Sequence, residues 1–171
     1  QDPAVQFSEI KGLLAKAQDT MNNCTIITDD FTEDSAIYYN GLTEITAENN
    51  FVPFYDGGYN AYLGFKASDW IFFEDIKLKL NSDDYLSFHY DYNDVARDVN
   101  SGISEIVFEF FSKNIDKIKK IIASEEPVMR FEGEDDKTRD HSLTSKEMAG
   151  IKAIYDIYTI HIQLEELFNQ V

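Results

Sequence analysis

Cysteine, proline and histidine are scarce in this chain of 171 residues, which has one cysteine, three prolines and three histidines. A lone Cys24 excludes an intramolecular disulfide framework, and so excludes the small bridge-stapled domains that depend on one. His89, His141 and His161 stand far apart in sequence, and none has metal-ligand spacing to another histidine or to Cys24. No apolar run approaches the roughly 18 residues that a membrane-spanning helix needs, so no membrane insertion is expected. A G-x-S-x-G nucleophile elbow is absent. The "DGGYN" stretch at 56–60 lacks the following helix and nearby lysine of a phosphate-binding loop. There is no internal repeat and no low-complexity run.

Positive charge is scarcer still. Fifteen Lys and Arg face 32 Asp and Glu, a formal net charge of −17. Between Lys16 and Lys66 there is no basic residue and no histidine. Such a surface repels phosphate backbones and anionic lipids, which excludes nucleic acid and membrane surfaces as partners. What is present is a core-forming composition, with 43% hydrophobic and 14% aromatic residues. A chain of this length and apolarity is expected to fold as one domain over 1–171. It begins with "QDP" rather than methionine, which suggests a processed chain. The expectation is an exported protein, periplasmic or extracellular.

Hydrophobic spacing predicts a helix over 4–22, with Phe7, Ile10, Leu13, Leu14, Ala17 and Met21 in one stripe, Asp2 as cap and Pro3 in the first turn. Strands follow at 24–31, at 35–45 and within 49–67, where Pro53 argues for an edge position. The segments 69–80 and 84–93, joined by "NSDD", read as the clearest hairpin. Ile76, Leu78 and Leu80 alternate with Lys77 and Lys79. Leu86, Phe88, Tyr90 and Tyr92 alternate with Tyr85, Ser87, His89 and Asp91. This pattern predicts one buried and one solvated face. A strand at 103–111, a helix at 112–123, a short strand at 127–133 and a helix over 145–168 complete the chain. The fold class predicted is α+β, with an antiparallel sheet of five to seven strands packed against the N- and C-terminal helices.

One stretch mimics a metal site. Asp136, Thr138, Asp140, Ser142, Thr144 and Glu147 occupy positions 1, 3, 5, 7, 9 and 12 of an EF-hand-like loop. Position 6, which needs glycine, is His141, and the preceding segment reads as a strand. Thr144 and Glu147 also form a T-x-x-E capping box, flanked by a Leu143–Met148 hydrophobic staple. The cap accounts for Thr144 and Glu147 without a metal. Glu134, Asp135, Asp136 and Asp140 read as a solvated loop with Lys137 and Arg139 interleaved, and no metal site or cofactor is expected.

Other chemistry-bearing residues are read the same way. Glu105 and Glu109 share one side of a strand and suit acid–base work on a sugar, but they read first as an outward acidic stripe. His89 near Asp91 reads as a surface pair, and Cys24 as a buried, inert thiol. The remaining signal is the aromatic, acidic segment 49–62. Its Phe54, Tyr55, Asp56 and Tyr59 are the candidate binding residues, with the three rings expected at least partly exposed in loops broken by Pro53, Gly57 and Gly58. These observations favour a non-enzymatic exported binding module with a protein or carbohydrate partner. The alternatives are an acidic inhibitor or immunity-type protein that blocks a basic site on its target, and a carboxylate-based hydrolase.

Overall fold

The computed structural model describes residues 3–81 and 83–169. The expected cap Asp2, and Ser82 in the expected "NSDD" turn, lie outside the described residues. Helix α1 (Pro3–Met21) leads into strands β1 (Cys24–Thr28), β2 (Ser35–Tyr39), β3 (Phe51–Tyr55) and β4 (Tyr59–Ala67). The hairpin β5 (Asp75–Asn81) and β6 (Asp84–His89) follows, then β7 (Ala96–Asp98) and β8 (Ile103–Phe110). Helix α2 (Asp116–Ile122), β9 (Val128–Glu132), β10 (Thr138–Ser142) and helix α3 (Ser145–Phe168) complete the order. Among the described residues, no helix is long and apolar enough to cross a membrane.

The strands form two antiparallel sheets, so the class is α+β as the sequence predicts. One has six strands in the order β1-β2-β3-β4-β8-β7, and the other four in the order β10-β9-β5-β6. Alternation drives the smaller sheet. Ile76 and Leu78 are fully buried, Leu86 and Phe88 nearly so, while Lys77 and Lys79 face solvent. Tyr90 is buried, but the pattern stops there and Tyr92 is exposed on a single helical turn. One continuous core joins Phe51, Tyr59 and Phe65 of the larger sheet to Ile76 and Phe131 of the smaller and to Ile151 and Ile154 of α3.

Four expectations need correction. Helix α1 forms where its spacing predicts but buries none of its residues, and Phe7 and Leu14 remain exposed. It lies along α3, where the Gln6 side-chain amide donates to the Leu167 carbonyl (2.7 Å), and it meets the sheet at β1. Strand β3 is interior rather than an edge. Its pairing with β2 covers only Tyr55 and Phe54, so Pro53 falls just past that ladder and owes no hydrogen bond there. Residues 69–74 are irregular rather than strand, because the amides of Ile71, Phe72 and Phe73 go to a side chain described below. Finally, 138–142 is a strand, β10, paired along its whole length with β9.

Candidate functional site

The six-stranded sheet carries aromatic rings on both faces. Tyr38 stands opposite Phe54, and Tyr62 stands opposite Phe108. These four residues, from β2, β3, β4 and β8, form a row on the face turned away from the main core. The Tyr38 and Phe54 rings stack at 5.3 Å and those of Phe54 and Tyr62 at 5.0 Å. Phe108 meets Tyr62 edge-on at 6.1 Å. The row ends in solvent, with Phe108 49% and Phe110 40% exposed. At its foot, Leu42 and Ile45 from the loop 40–50 pack on Val52 as a small second cluster that also holds Tyr38, Tyr62 and Ile106. Acids flank both ends: Glu44 and Glu48 on that loop, Asp56 on the β3–β4 turn, all exposed.

The four predicted binding residues separate. Phe54 is 5% exposed, covered by Tyr38 and Tyr62, and Tyr59 is fully buried. Both depart from the expected exposure because the turn between β3 and β4 spans only residues 56–58, so neither ring is held in a loop. The Tyr59 hydroxyl donates to the Ile151 carbonyl at 2.9 Å, and burial pushes its phenol well above the ordinary value. Tyr59 is therefore a core residue. Tyr55 is half-buried and hydrogen-bonds Nδ1 of His161, whose Nε2 lies 3.2 Å from Glu165. Burial, with the charges of Glu165 and Asp56, raises the Tyr55 phenol. Asp56 is exposed and accepts from the Asn60 amide at 2.6 Å, while the buried Asn60 Oδ1 has no donor among the described residues.

The rings of Phe108 and Phe110, not singled out in the sequence, complete the outer face beside Tyr62, which ends the predicted 49–62 segment. Their signal is the even-numbered set Ile106, Phe108 and Phe110 in "ISEIVFEFF". Its partners Val107 and Glu109 are also committed inward, which is the mark of a strand occupied on both sides.

The carboxylates resolve differently from their sequence reading. Glu105 is fully buried, not part of an outward stripe. One oxygen accepts the N–H groups of Ile71 and Phe72 at 3.0 and 3.1 Å, and the other accepts Phe73 N–H and Arg97 Nε at 3.0 and 3.1 Å. Three successive amides converge because Phe72 adopts φ +54°, a left-handed conformation that bulky residues avoid. Arg97 extends the network, donating to the Phe73 and Tyr92 carbonyls at 3.0 and 2.7 Å. Glu109 accepts the Tyr90 hydroxyl at 2.7 Å, and burial followed by this bond pushes that phenol far up. With two donors on each oxygen, Glu105 is spent on folding the 69–74 segment.

Glu147 is likewise fully buried. Oε1 accepts the Asn50 and Phe51 N–H groups at 2.7 and 2.9 Å, and Oε2 accepts Thr144 N–H and faces His141 Nε2, both at 2.7 Å. Thr144 caps α3 by accepting Glu147 N–H at 3.1 Å, so the predicted capping box is present. Desolvation pushes the Glu147 carboxyl up, but the His141 bond and the Thr144 and Phe51 amides outweigh it and hold the group below its ordinary value. The EF-hand-like spacing has a plain origin, since Thr138, Asp140 and Ser142 are the outward positions of β10. Asp140 pairs with Arg130 at 2.6 Å.

His89 pairs across the β5–β6 ladder with Asp75 at 2.8 Å, with Asp91 more distant at 4.0 Å. The Asp75 hydrogen bond raises its imidazole pKa. Cys24 is half-buried, its thiol 3.5 Å from the Thr20 carbonyl, and burial pushes the thiol up, away from a reactive thiolate.

No protein-family model matches the sequence, and no curated protein matches it. Among solved structures, the chain is similar to the crystal structure of invasion associated protein b from Bartonella henselae, at 7% identity and a TM-score of 0.44. That likeness spans 84% of this chain and 94% of the other, and at this level it carries no argument about function.

Proposed function

We propose that the chain is a non-enzymatic binding module that holds a protein or carbohydrate partner on the outer face of its six-stranded sheet. The observation that supports this is the continuous row Tyr38–Phe54–Tyr62–Phe108, stacked at its centre and open to solvent at Phe108. Stiff rings fixed by a sheet present apolar area at little entropic cost, and the tyrosine hydroxyls add hydrogen bonding. Of the four residues expected from sequence, Asp56 remains accessible at the rim, whereas Tyr55 lies on the opposite face against α3. Phe54 acts beneath the surface by holding its neighbours flat.

Nuclear magnetic resonance titration with neutral oligosaccharides and with aromatic-rich peptides tests the reading. Amide shifts are expected to cluster at residues 38, 54, 62 and 106–110. Phe108→Ala is expected to weaken the binding ligand by about 30-fold, the effect of an anchor worth about 2 kcal/mol, while the fold is retained. Shifts confined to another surface would overturn it.

A further inference from the structure

Among the described residues the two sheets end in four edge strands, and three are guarded. β7 is three residues long and is tied down through Arg97. β10 carries Arg139, Asp140 and His141 among its five residues. β6 pairs with β5 across an irregularity between Lys79 and Asn81 and begins at a charged residue, Asp84. Short length, charge and bulges are the usual means of stopping an edge from pairing further. β1 has none of them. It reads Cys-Thr-Ile-Ile-Thr, with Ile26 58% and Ile27 43% exposed on opposite faces.

Its backbone is open as well. Asn40 N–H donates to the Asn23 carbonyl at 2.9 Å, and Asp29 N–H donates to the Asp34 carbonyl at 2.8 Å. In an antiparallel ladder these bonded pairs alternate, so Thr25 and Ile27 point their N–H and C=O groups at β2. The groups of Cys24, Ile26 and Thr28 therefore point away from the sheet, and no described residue takes up their N–H groups. From these observations we infer that β1 receives an added strand from another protein, an extended segment with apolar residues at its centre and lysine or arginine at its ends.

Charge selects that occupant. At one end of β1 the turn to β2 carries Asp29, Asp30, Glu33 and Asp34 around Phe31, whose ring is 99% exposed. At the other end Asp19 lines a cleft with Asn23, beside the Lys152–Asp156 pair. From residue 17 to residue 65 the chain carries no cation, and the Lys152 that lines the cleft with Asp19 is paired with Asp156. A second copy of this chain would bring its own acidic turn and its own −17 charge, whereas a basic strand brings complementary ends to an edge that already offers unpaired amides and two isoleucines. This inference concerns a different surface from the aromatic face and stands without it.

The test uses the whole protein and a synthetic peptide of alternating valine and threonine with paired lysines at both ends, against a control with paired glutamates. The lysine peptide is expected to bind, and to slow amide exchange at Cys24, Ile26 and Thr28 about tenfold or more while Thr25 and Ile27, already bonded to β2, change little. Ile26→Pro removes an outward N–H and no ladder bond, so the fold should survive as proline is tolerated on an edge, and binding should fall about tenfold or more. Ile26→Lys keeps the backbone and adds a repelling cation, and is expected to weaken binding similarly, so the question stays answerable if the proline variant fails to fold. Phe108→Ala is expected to leave the lysine peptide's affinity unchanged. The inference is overturned if neither peptide binds, if the glutamate peptide binds equally, if folded Ile26 variants bind as the parent does, or if Phe108→Ala alone abolishes binding. Self-association in light scattering that disappears in Ile26→Pro would also overturn it, by giving the edge to a second copy.

Discussion

The two sheets share an inner face and differ outside. The outward positions of the four-stranded sheet include Lys77, Lys79, Tyr85, Ser87, Arg130, Glu132 and Asp140, and ions among them pair: Lys77 with Glu132 at 3.1 Å and Arg130 with Asp140 at 2.6 Å. The outward positions of the six-stranded sheet include the uncharged row Tyr38, Phe54, Tyr62 and Phe108, with Lys66 and Asp98 at the far end of β4 and on β7. A face of paired ions is a solvated face, whose pairs contribute little to stability. A face of stacked rings is a second, thinner core with one open end. The contrast implies that a ring costs most where it is buried, on the inner face or within the outer row, and least at the row's exposed end.

The largest effect belongs to the inner face. Phe88→Ala empties a site that is 6% exposed and packed against Phe111, and it is expected to cost about 3–5 kcal/mol in urea unfolding. Glu105→Gln is expected to follow at about 3 kcal/mol, because an amide nitrogen replaces one acceptor and meets N–H groups that then have no partner. Its signature is local, since amide exchange should speed up first at Ile71, Phe72 and Phe73. Uniform acceleration across both sheets would show that Glu105 does not specifically hold that segment.

Next comes the joint at the start of α3. Thr144→Ala is expected to cost about 1 kcal/mol, as helix caps do, whether or not calcium is present. Glu147 gives the same joint a pH dependence. Its folded pKa lies below its unfolded one, so its stabilisation is present above the ordinary carboxylate value near 4.5 and is lost as pH falls through the depressed value. Asp29, Asp98 and Asp140 are depressed too, so the acid limb as a whole is shared. Glu147→Gln is therefore expected to be less stable at neutral pH and to lose less stability below pH 4.5 than the parent. Parallel acid limbs for the two proteins would remove Glu147 from the account.

How much of this was legible depended on whether a residue had one environment or two. Strict alternation in 76–80 and 86–90 gave the hairpin and its faces directly, and T-x-x-E gave the cap. The segment 138–142 was hidden because its alternation of Thr, Asp and Ser with Arg and His contains no aliphatic residue. Its inward positions are Arg139, whose guanidinium sits over the Phe65 ring at 4.7 Å, and His141 on Glu147. The role of Glu105 was hidden because its partners are amides some thirty residues earlier, which no spacing rule connects. Around the outer row, the sequence chose Phe54, which belongs to it, but also Tyr59, which faces the core, and passed over Phe108 on β8. Consecutive aromatics at 38–39 and 54–55 signal that both faces are covered, yet they do not say which ring points to which.

The smallest expected effect decides whether the outer row is a surface at all. Phe108→Ala removes a ring that is half in solvent, and surface substitutions of this kind change stability by about 0.5 kcal/mol. Phe54, one ring further in and 5% exposed, should behave as a buried phenylalanine and cost about 3–5 kcal/mol. The two substitutions are chemically identical and their rings lie 6.2 Å apart, so the difference between them reads the depth of the row directly. Urea unfolding of both variants supplies the numbers. A steep fall from Phe54 to Phe108 leaves the outer end free for a partner. If Phe108→Ala costs as much as Phe54→Ala, the whole row is structural, and the proposed use of the face as a platform for binding is lost.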